Sequence, residues 1–311
     1  MLDSAVFKRI SHNDSGQASG KQAGFLIPKD LAVFFPPLPS HSASSTVDKR
    51  LTADLFVDGV RVGTVETRYQ HQTWGGTRRP ERRLTDHLGP LRDHSRGGDI
   101  VLFSKDLSDD TYIQIHLVRQ GTPEFAKLDA VLPKMKWGVV DPKNPPVSVQ
   151  EIKSAEDEID NKKTQPPTAF DATRGTIEST TVRKARDRAF RNLVLSEYDF
   201  SCAVTGRKFV SPLSKHTIGL DAAHVVPVQD KGSDHPANGI PLTKELHWAF
   251  DRGLFGVKDD RTVLVPNSVK VIMGNEFLKG LHGMPIREAK HPNCRALDEA
   301  FAWHRKNILV K

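Results

Sequence analysis

Two periodicities divide the chain. From about Phe7 to Leu132, apolar residues alternate with polar ones in short runs: "ADLFVDGVRVGTVETRY" (Ala53–Tyr69), "DIVLFSK" (Asp99–Lys105) and "YIQIHLVR" (Tyr112–Arg119). Period two over such lengths, with β-branched and aromatic residues, predicts strands, and "VDGV" predicts a tight hairpin turn. Helical spacing is sparse there, so an all-β barrel or sandwich is expected. From about Asp141 to Thr181 the pattern breaks into stretches rich in Pro, Thr and charge, such as "DPKNPPVSVQ" and "EDEIDNKKTQPPT". These predict a linker with one short helix near Val149–Asn161. From Val182 the period lengthens. "VRKARDRAFRNLVLSEY" puts Ala185, Ala189 or Phe190, Leu193 and Val194 on one stripe, and leaves Arg183, Arg186, Arg188 and Arg191 outside it as candidate phosphate contacts. Short strands near Cys202 and Asp221–Val226, a helix near Lys244–Arg252 and a closing helix in "CRALDEAFAWHRKNIL" complete the reading. The expectation is therefore an α+β chain of two domains: residues 1–140, a linker over 141–181, and residues 182–311.

Charge narrows the choice of partner. Lys and Arg total 45 against 38 Asp and Glu, a formal net charge of +7 over 311 residues. Such a balance favours polyanions, nucleic acid foremost, without proving it. Only two cysteines are present, Cys202 and Cys294, which excludes a disulfide framework and points to a reducing cytoplasm. The opening residues lack an apolar signal core, and no run reaches the roughly 18 apolar residues a membrane span needs.

The densest chemistry lies in "AAHVVPVQDKGSDHPANGIPLTKELHWAFDRG" (Ala222–Gly253). "LDAAHVVP" reads as a strand ending in a turn. "TKELHWAFDRG" reads as a helix with Thr243 as N-cap and Gly253 just past its end. His247 and Asp251 are spaced i, i+4 and so share one helix face, where both can meet a cation. His224 sits at the strand's end, and Asn238 closes the loop between them. Around these residues, "FRNLVLSEYDFSCAVTG", "ANGIPLTKELHWAFDRG" and the closing "WHRKNIL" resemble an HNH nuclease of the ββα-metal type, from about Arg183 to Leu309. The order His224, Asn238, His247 and the nine residues from Asn238 to His247 match that family's pattern.

The resemblance implies roles. His224 takes a proton from water, Asn238 holds the loop, and His247 helps to seat one divalent ion per site (Mg, Mn or Ni, with Zn as a further option). One departure stands out. Many relatives carry Asp or His just before the first histidine, and this chain has Ala223. Asp221 and Asp251 are the two candidates to supply the missing carboxylate, and the residues alone do not choose between them. Some relatives also hold a structural zinc on paired cysteines. Here only Cys202 and, in "HPNC", Cys294 remain, and two inert buried thiols are the simpler expectation.

The first domain carries the other cluster. Between Arg68 and Arg96 there are seven Arg against three acids, Glu81, Asp86 and Asp93, and "QTWGGTRRPERRLT" interleaves them with Trp and Gly. Arg forks bind phosphate and read guanine, while a carboxylate can accept from cytosine N4. A solvated basic loop would look the same. "FKRISHNDSGQASGKQAGFLIPK" (Phe7–Lys29) and "ETRYQHQTWGGTRRPERRLT" (Glu66–Thr85) resemble the N-terminal domain of EcoRII-type restriction endonucleases, a β pseudobarrel that grips duplex DNA. That resemblance assigns base reading to Arg79, Glu81 and Arg83. Arg78, Lys21, Gln22 and "SHND" would line the cleft.

Together these readings predict a restriction endonuclease acting on double-stranded DNA as a homodimer, with no membrane association. Its reader would take either an unmodified site or, the favoured option, one bearing 5-methylcytosine. A DNA-binding protein without catalysis and a non-specific nuclease toxin are the rivals.

Overall fold

The computed structural model describes residues 2–15, 17, 24–40, 45–73, 79–171, 179–210 and 217–311. Lys21, Gln22 and Arg78 lie outside the described residues. The chain divides into two compact units, Met1–Glu151 and Ile152–Lys311. The division falls within the stretch 141–181 expected as a linker.

The first unit is one eight-stranded sheet. Its strands are β1 (Val6–Arg9), β2 (Phe25–Ile27), β3 (Val47–Val57), β4 (Val60–Gln72), β5 (Glu81–Thr85), β6 (Ile100–Asp106), β7 (Asp109–Val118) and β8 (Trp137–Val139). The order is β2-β5-β4-β3-β7-β6-β1-β8, and among the described residues only β3 and β7 pair in parallel. The predicted "VDGV" turn joins β3 to β4. Asp58 and Gly59 both take positive φ, 46° and 81°, as a two-residue hairpin turn matched to strand twist requires. Phe25, Phe35, Tyr69 and Phe103 fill the core, with Phe35 stacked on Tyr69 at 4.9 Å. Burying each such ring is worth roughly 1.5–3 kcal/mol.

The sheet curls until its two ends meet. Lys8 on β1, next to one edge, donates to the Asp14 carboxylate and to the carbonyl of Leu26 on β2, the other edge strand. Leu26 N in turn donates to Asp14 Oδ1 at 2.9 Å. A buried ion pair, not a backbone ladder, thus bridges the seam, which is what makes the barrel incomplete. Helices α1 (Gly89–Arg92) and α2 (Pro123–Val131) complete the unit.

Helix α3 (Val149–Asn161) forms where expected and runs across the division between the units. The second unit continues with α4 (Thr180–Glu197), β9 (Phe209–Val210), β10 (Thr217–Ile218), β11 (Leu220–His224), β12 (Gly239–Thr243), α5 (Lys244–Asp251), β13 (Gly256–Val257), β14 (Val263–Leu264), α6 (Asn267–Lys270), α7 (Glu276–Leu281) and α8 (Asp298–Asn307). The apolar stripe of α4 is buried as predicted. Of its four candidate arginines, Arg186 and Arg188 are engaged within the protein, while Arg183 stays exposed. Arg186 pairs with Glu158 at 3.1 Å and Arg188 with Glu156 at 3.5 Å, so the acidic face of α3 covers them. Around Cys202 the chain forms a turn, not the expected strand. Cys202 and Cys294 are buried free thiols, and burial pushes the Cys294 thiol up to about 12. Among the described residues no helix is long and apolar enough to cross a membrane.

Candidate active site

The site is built on β11, β12 and α5, the ββα unit that the strand–loop–helix pattern predicts. β11 and β12 are antiparallel, registered from Leu220↔Thr243 to His224↔Gly239. α5 follows at once. Thr243 takes extended N-cap geometry without a side-chain cap bond, and Gly253, at φ 69°, ends the helix in the left-handed region where only glycine is unstrained. This places His224 at the end of one element and His247 on the face of another.

The loop of residues 225–238 is held from inside by Asn238, which is fully buried. Its Nδ2 donates to Val226 O and to Ser233 O, both at 2.9 Å, and its Oδ1 accepts from Val226 N at 2.9 Å. One side chain therefore ties the residues after His224 to the far limb of the loop. Gly232 lets the limbs approach: a Cβ there would lie 1.9 Å from Val226 O. The far limb is pinned further by Ser233 N to Ala169 O at 3.0 Å.

His224 sits between two partners. Its ring stacks on Phe190 of α4, with centroids 3.9 Å apart and planes 8° from parallel. Its Nε2 lies 3.1 Å from Oδ1 of Asp234. The stack depends on Gly239, because a Cβ at that position would fall 2.6 Å from Phe190 Cζ. Asp234 was not singled out from the sequence. It lies in a loop with no periodicity, and only its place three residues before the Ala-Asn-Gly turn could have drawn attention to it.

His247 is flanked by both candidate carboxylates. Its Nδ1 faces Asp221 Oδ2 at 3.6 Å and its Nε2 faces Asp251 Oδ2 at 3.5 Å. Burial works against the imidazole's charge, but the pull of the two carboxylates outweighs it and holds the ring above its ordinary pKa. Asp221 is held below the usual carboxylate range by His247 first, then by Lys244 and Arg191, against its burial. Asp251 behaves oppositely. Burial raises it, and the charges of His247, His224 and Arg252 offset this only in part.

The three expected metal ligands are thus brought together but do not converge. Asp221 and Asp251 lie against opposite nitrogens of one ring, and among the described residues no three His, Cys, Asp or Glu groups surround a common point. The donor chemistry nevertheless suits a divalent ion: an imidazole nitrogen beside a carboxylate whose charge is under-compensated.

In the first unit, β5 carries the expected reading residues. Arg79, just before it, is exposed, and Glu81 is half-buried. Arg83 departs from expectation. Its side chain is only 4% exposed, and it donates to Glu81 Oε2 at 3.2 Å and to Gly24 O at 3.4 Å. Residues 81, 83 and 85 share one strand face, and at position 83 that face is covered, so Arg83 braces Glu81 instead of facing solvent. Arg82 is likewise engaged, donating to the buried Tyr69 hydroxyl at 3.1 Å. In "SHND", His12 and Asn13 are exposed while Asp14 belongs to the seam.

Comparison with known proteins divides along the same line. Residues 2–143 match the family model described as restriction endonuclease EcoRII, N-terminal, and residues 202–258 match that described as HNH endonuclease. Three solved structures are similar at low identity. The B3 domain of the UbaLAI restriction endonuclease with cognate DNA is 22% identical, covers 45% of this chain and 88% of that one, and has a TM-score of 0.33. The modification-dependent TagI restriction endonuclease is 15% identical over 86% of this chain and 65% of that one, with a TM-score of 0.32. The N-terminal domain of Helicobacter pylori LlaJI.R1 is 13% identical over 45% and 98%, with a TM-score of 0.28. No curated protein matches the chain. The two family models, not these distant likenesses, carry the assignment.

Proposed function

We propose that this chain, whose residues 2–143 match the EcoRII N-terminal family and 202–258 the HNH endonuclease family, is a restriction endonuclease in which the first domain selects a duplex DNA site and the second hydrolyses its backbone with His224 as general base. The observation that carries this reading is the geometry of His224: an imidazole at a strand end, stacked, hydrogen-bonded and still 18% exposed. It takes a proton from water. The water oxygen bonds to phosphorus, the bond to the 3′ oxygen breaks, and that oxygen leaves with a proton from solvent. Asn238 keeps the loop closed around this step.

The ion that HNH chemistry calls for would be held by His247 with Asp251. Asp251 faces Nε2 of His247 from one turn along the same helix, so the pair offers two donors to one ion. Asp221, on the other ring nitrogen, orients the imidazole, as carboxylates behind metal-binding histidines do. When bound, a divalent ion there supplies positive charge for the phosphate and the leaving oxygen.

Arg79 and Glu81 are our proposed base contacts, with Arg83 behind Glu81. Glu81 and Arg82 also rim a cavity of about 830 Å³ walled by Ile27, Phe35, Pro37 and Leu38. A carboxylate that can accept from cytosine N4 beside an apolar wall suits a 5-methylcytosine site. One HNH unit cuts one strand, so a double-strand break needs two copies, assembled as a homodimer. The experiment is digestion of one plasmid, methylated and unmethylated, with Mg²⁺, Mn²⁺, Ni²⁺ or Zn²⁺, followed by mapping of the ends. Discrete ends from the methylated copy alone support the modification-dependent reader. Equal cutting of both copies refutes that dependence, and no cutting with any ion refutes the nuclease reading of this site.

A further inference from the structure

The proposed mechanism leaves unused the buried acid that touches its base. Asp234 is 1% exposed, deeper than either carboxylate beside His247, and its Oδ1 lies 3.1 Å from His224 Nε2. A carboxylate that deep keeps its charge only if cationic or hydrogen-bonding groups surround it. Arg186 of α4 supplies one, with Nε 3.6 Å from Asp234 Oδ2. The residues on either side fix where Asp234 stands: Ser233 O accepts from Asn238 Nδ2, and His235 N donates to Ser233 Oγ at 3.0 Å. Asn238 therefore clamps the limb that carries Asp234 to the backbone that follows His224. The separation of acid and imidazole is set by that clamp.

We propose that Asp234 is a positioning residue that accepts the hydrogen on Nε2 of His224 and so reserves Nδ1, with its lone pair, for the proton of the attacking water. The inference rests on the reading of His224 as general base and deepens it. A neutral imidazole carries one hydrogen on either of two nitrogens, and the partner of one nitrogen decides which. A carboxylate only accepts, so it selects the Nε2–H form. Phe190, stacked on the ring face, holds the plane in which that bond is made, and Gly239 admits Phe190 to that place. Asp234 never touches the phosphate. It acts by keeping the base in the form and orientation that can react, as an acid does behind a catalytic histidine in other hydrolases.

The test begins with the unaltered full-length protein. With histidine ring nitrogens ¹⁵N-labelled, long-range ¹H–¹⁵N correlation reports the tautomer of His224, identified by the signal lost in His224→Gln. The proposal expects hydrogen on Nε2; hydrogen on Nδ1 would overturn it without any variant having to fold. The second arm is Asp234→Asn, whose amide can donate to Nε2 and so drive the hydrogen to Nδ1. Single-turnover nicking of a supercoiled plasmid with Mn²⁺ should fall by about 10²- to 10⁴-fold, with plasmid binding unchanged and the tautomer signal reversed. Wild-type nicking by Asp234→Asn, with His224→Ala inactive, removes the role of Asp234 and leaves the base reading standing. Wild-type nicking by His224→Ala removes the base, and this proposal with it.

Discussion

The loop that carries His224 and the helix that carries His247 solve opposite problems with the same side chain. His224 is enclosed: a ring on its face, a buried carboxylate on one nitrogen, and a loop tied by Asn238. His247 is open. Its flanking carboxylates, Asp221 and Asp251, are 37% and 56% exposed, and the ring lies between them on a helix surface. A proton acceptor gains from a fixed orientation and one free nitrogen. A cation seat must let a hydrated ion in and out, and its ligands can close around the ion on arrival. The rings themselves are similarly exposed, 18% and 27%, so the surroundings that fix or free each ring, more than its own burial, separate the two jobs.

Variants can break or sharpen this contrast. The largest effect is expected at His224. His224→Ala should lower the cleavage rate by about 10²- to 10⁴-fold or more, and no concentration of metal should restore it, as a rate series over added Mn²⁺ will show. Asn238→Ala comes next, acting on stability. It leaves the Val226 amide and the Val226 and Ser233 carbonyls without that partner, at about 1–3 kcal/mol for each group left buried and unpaired. Urea unfolding should show a lower midpoint, and an unchanged midpoint would mean that the loop is not held this way. Asp221→Asn should weaken metal binding by about 10- to 100-fold, the usual cost of losing a supporting partner. Asp251→Asn should weaken it more, and the reverse order would exchange their roles. In the reader, Arg79→Ala should cost about 1–3 kcal/mol on the cognate duplex and much less on a scrambled one. Arg83→Ala should lower stability as well, since it empties a buried brace. The smallest effect is expected for Glu156→Gln, an exposed partner whose ion pair is worth about 0–1 kcal/mol.

Much of this was legible in the sequence, for reasons that also mark where reading stops. The order and spacing of His224, Asn238 and His247 could be read because a strand, a loop and a helix fix their relative places locally. The hairpin at Asp58–Gly59 and the stripe on α4 were legible for the same reason: period and turn chemistry are local. Asp234 was not, because a loop residue reaches His224 only after the loop has folded back on itself. Nor was the burial of Arg83, which depends on β2 pairing beside β5 across a long gap in sequence. The engagement of Arg186 and Arg188 was hidden too. Their charge suggested phosphate, and only tertiary structure brings Glu158 and Glu156 against them. Ala223 set a question about the missing carboxylate that position along the strand could not answer. The answer proposed here comes from which nitrogen of His247 each acid faces.

The division of labour between the two histidines is the central claim, and it can be measured without cleavage. Mn²⁺ binding is followed by calorimetry on the wild-type chain, His224→Ala and His247→Ala, each first shown to be folded. The account predicts that His224→Ala, though inactive, binds the ion as the wild type does, and that His247→Ala loses it. Loss of the ion in His224→Ala with retention in His247→Ala would contradict it.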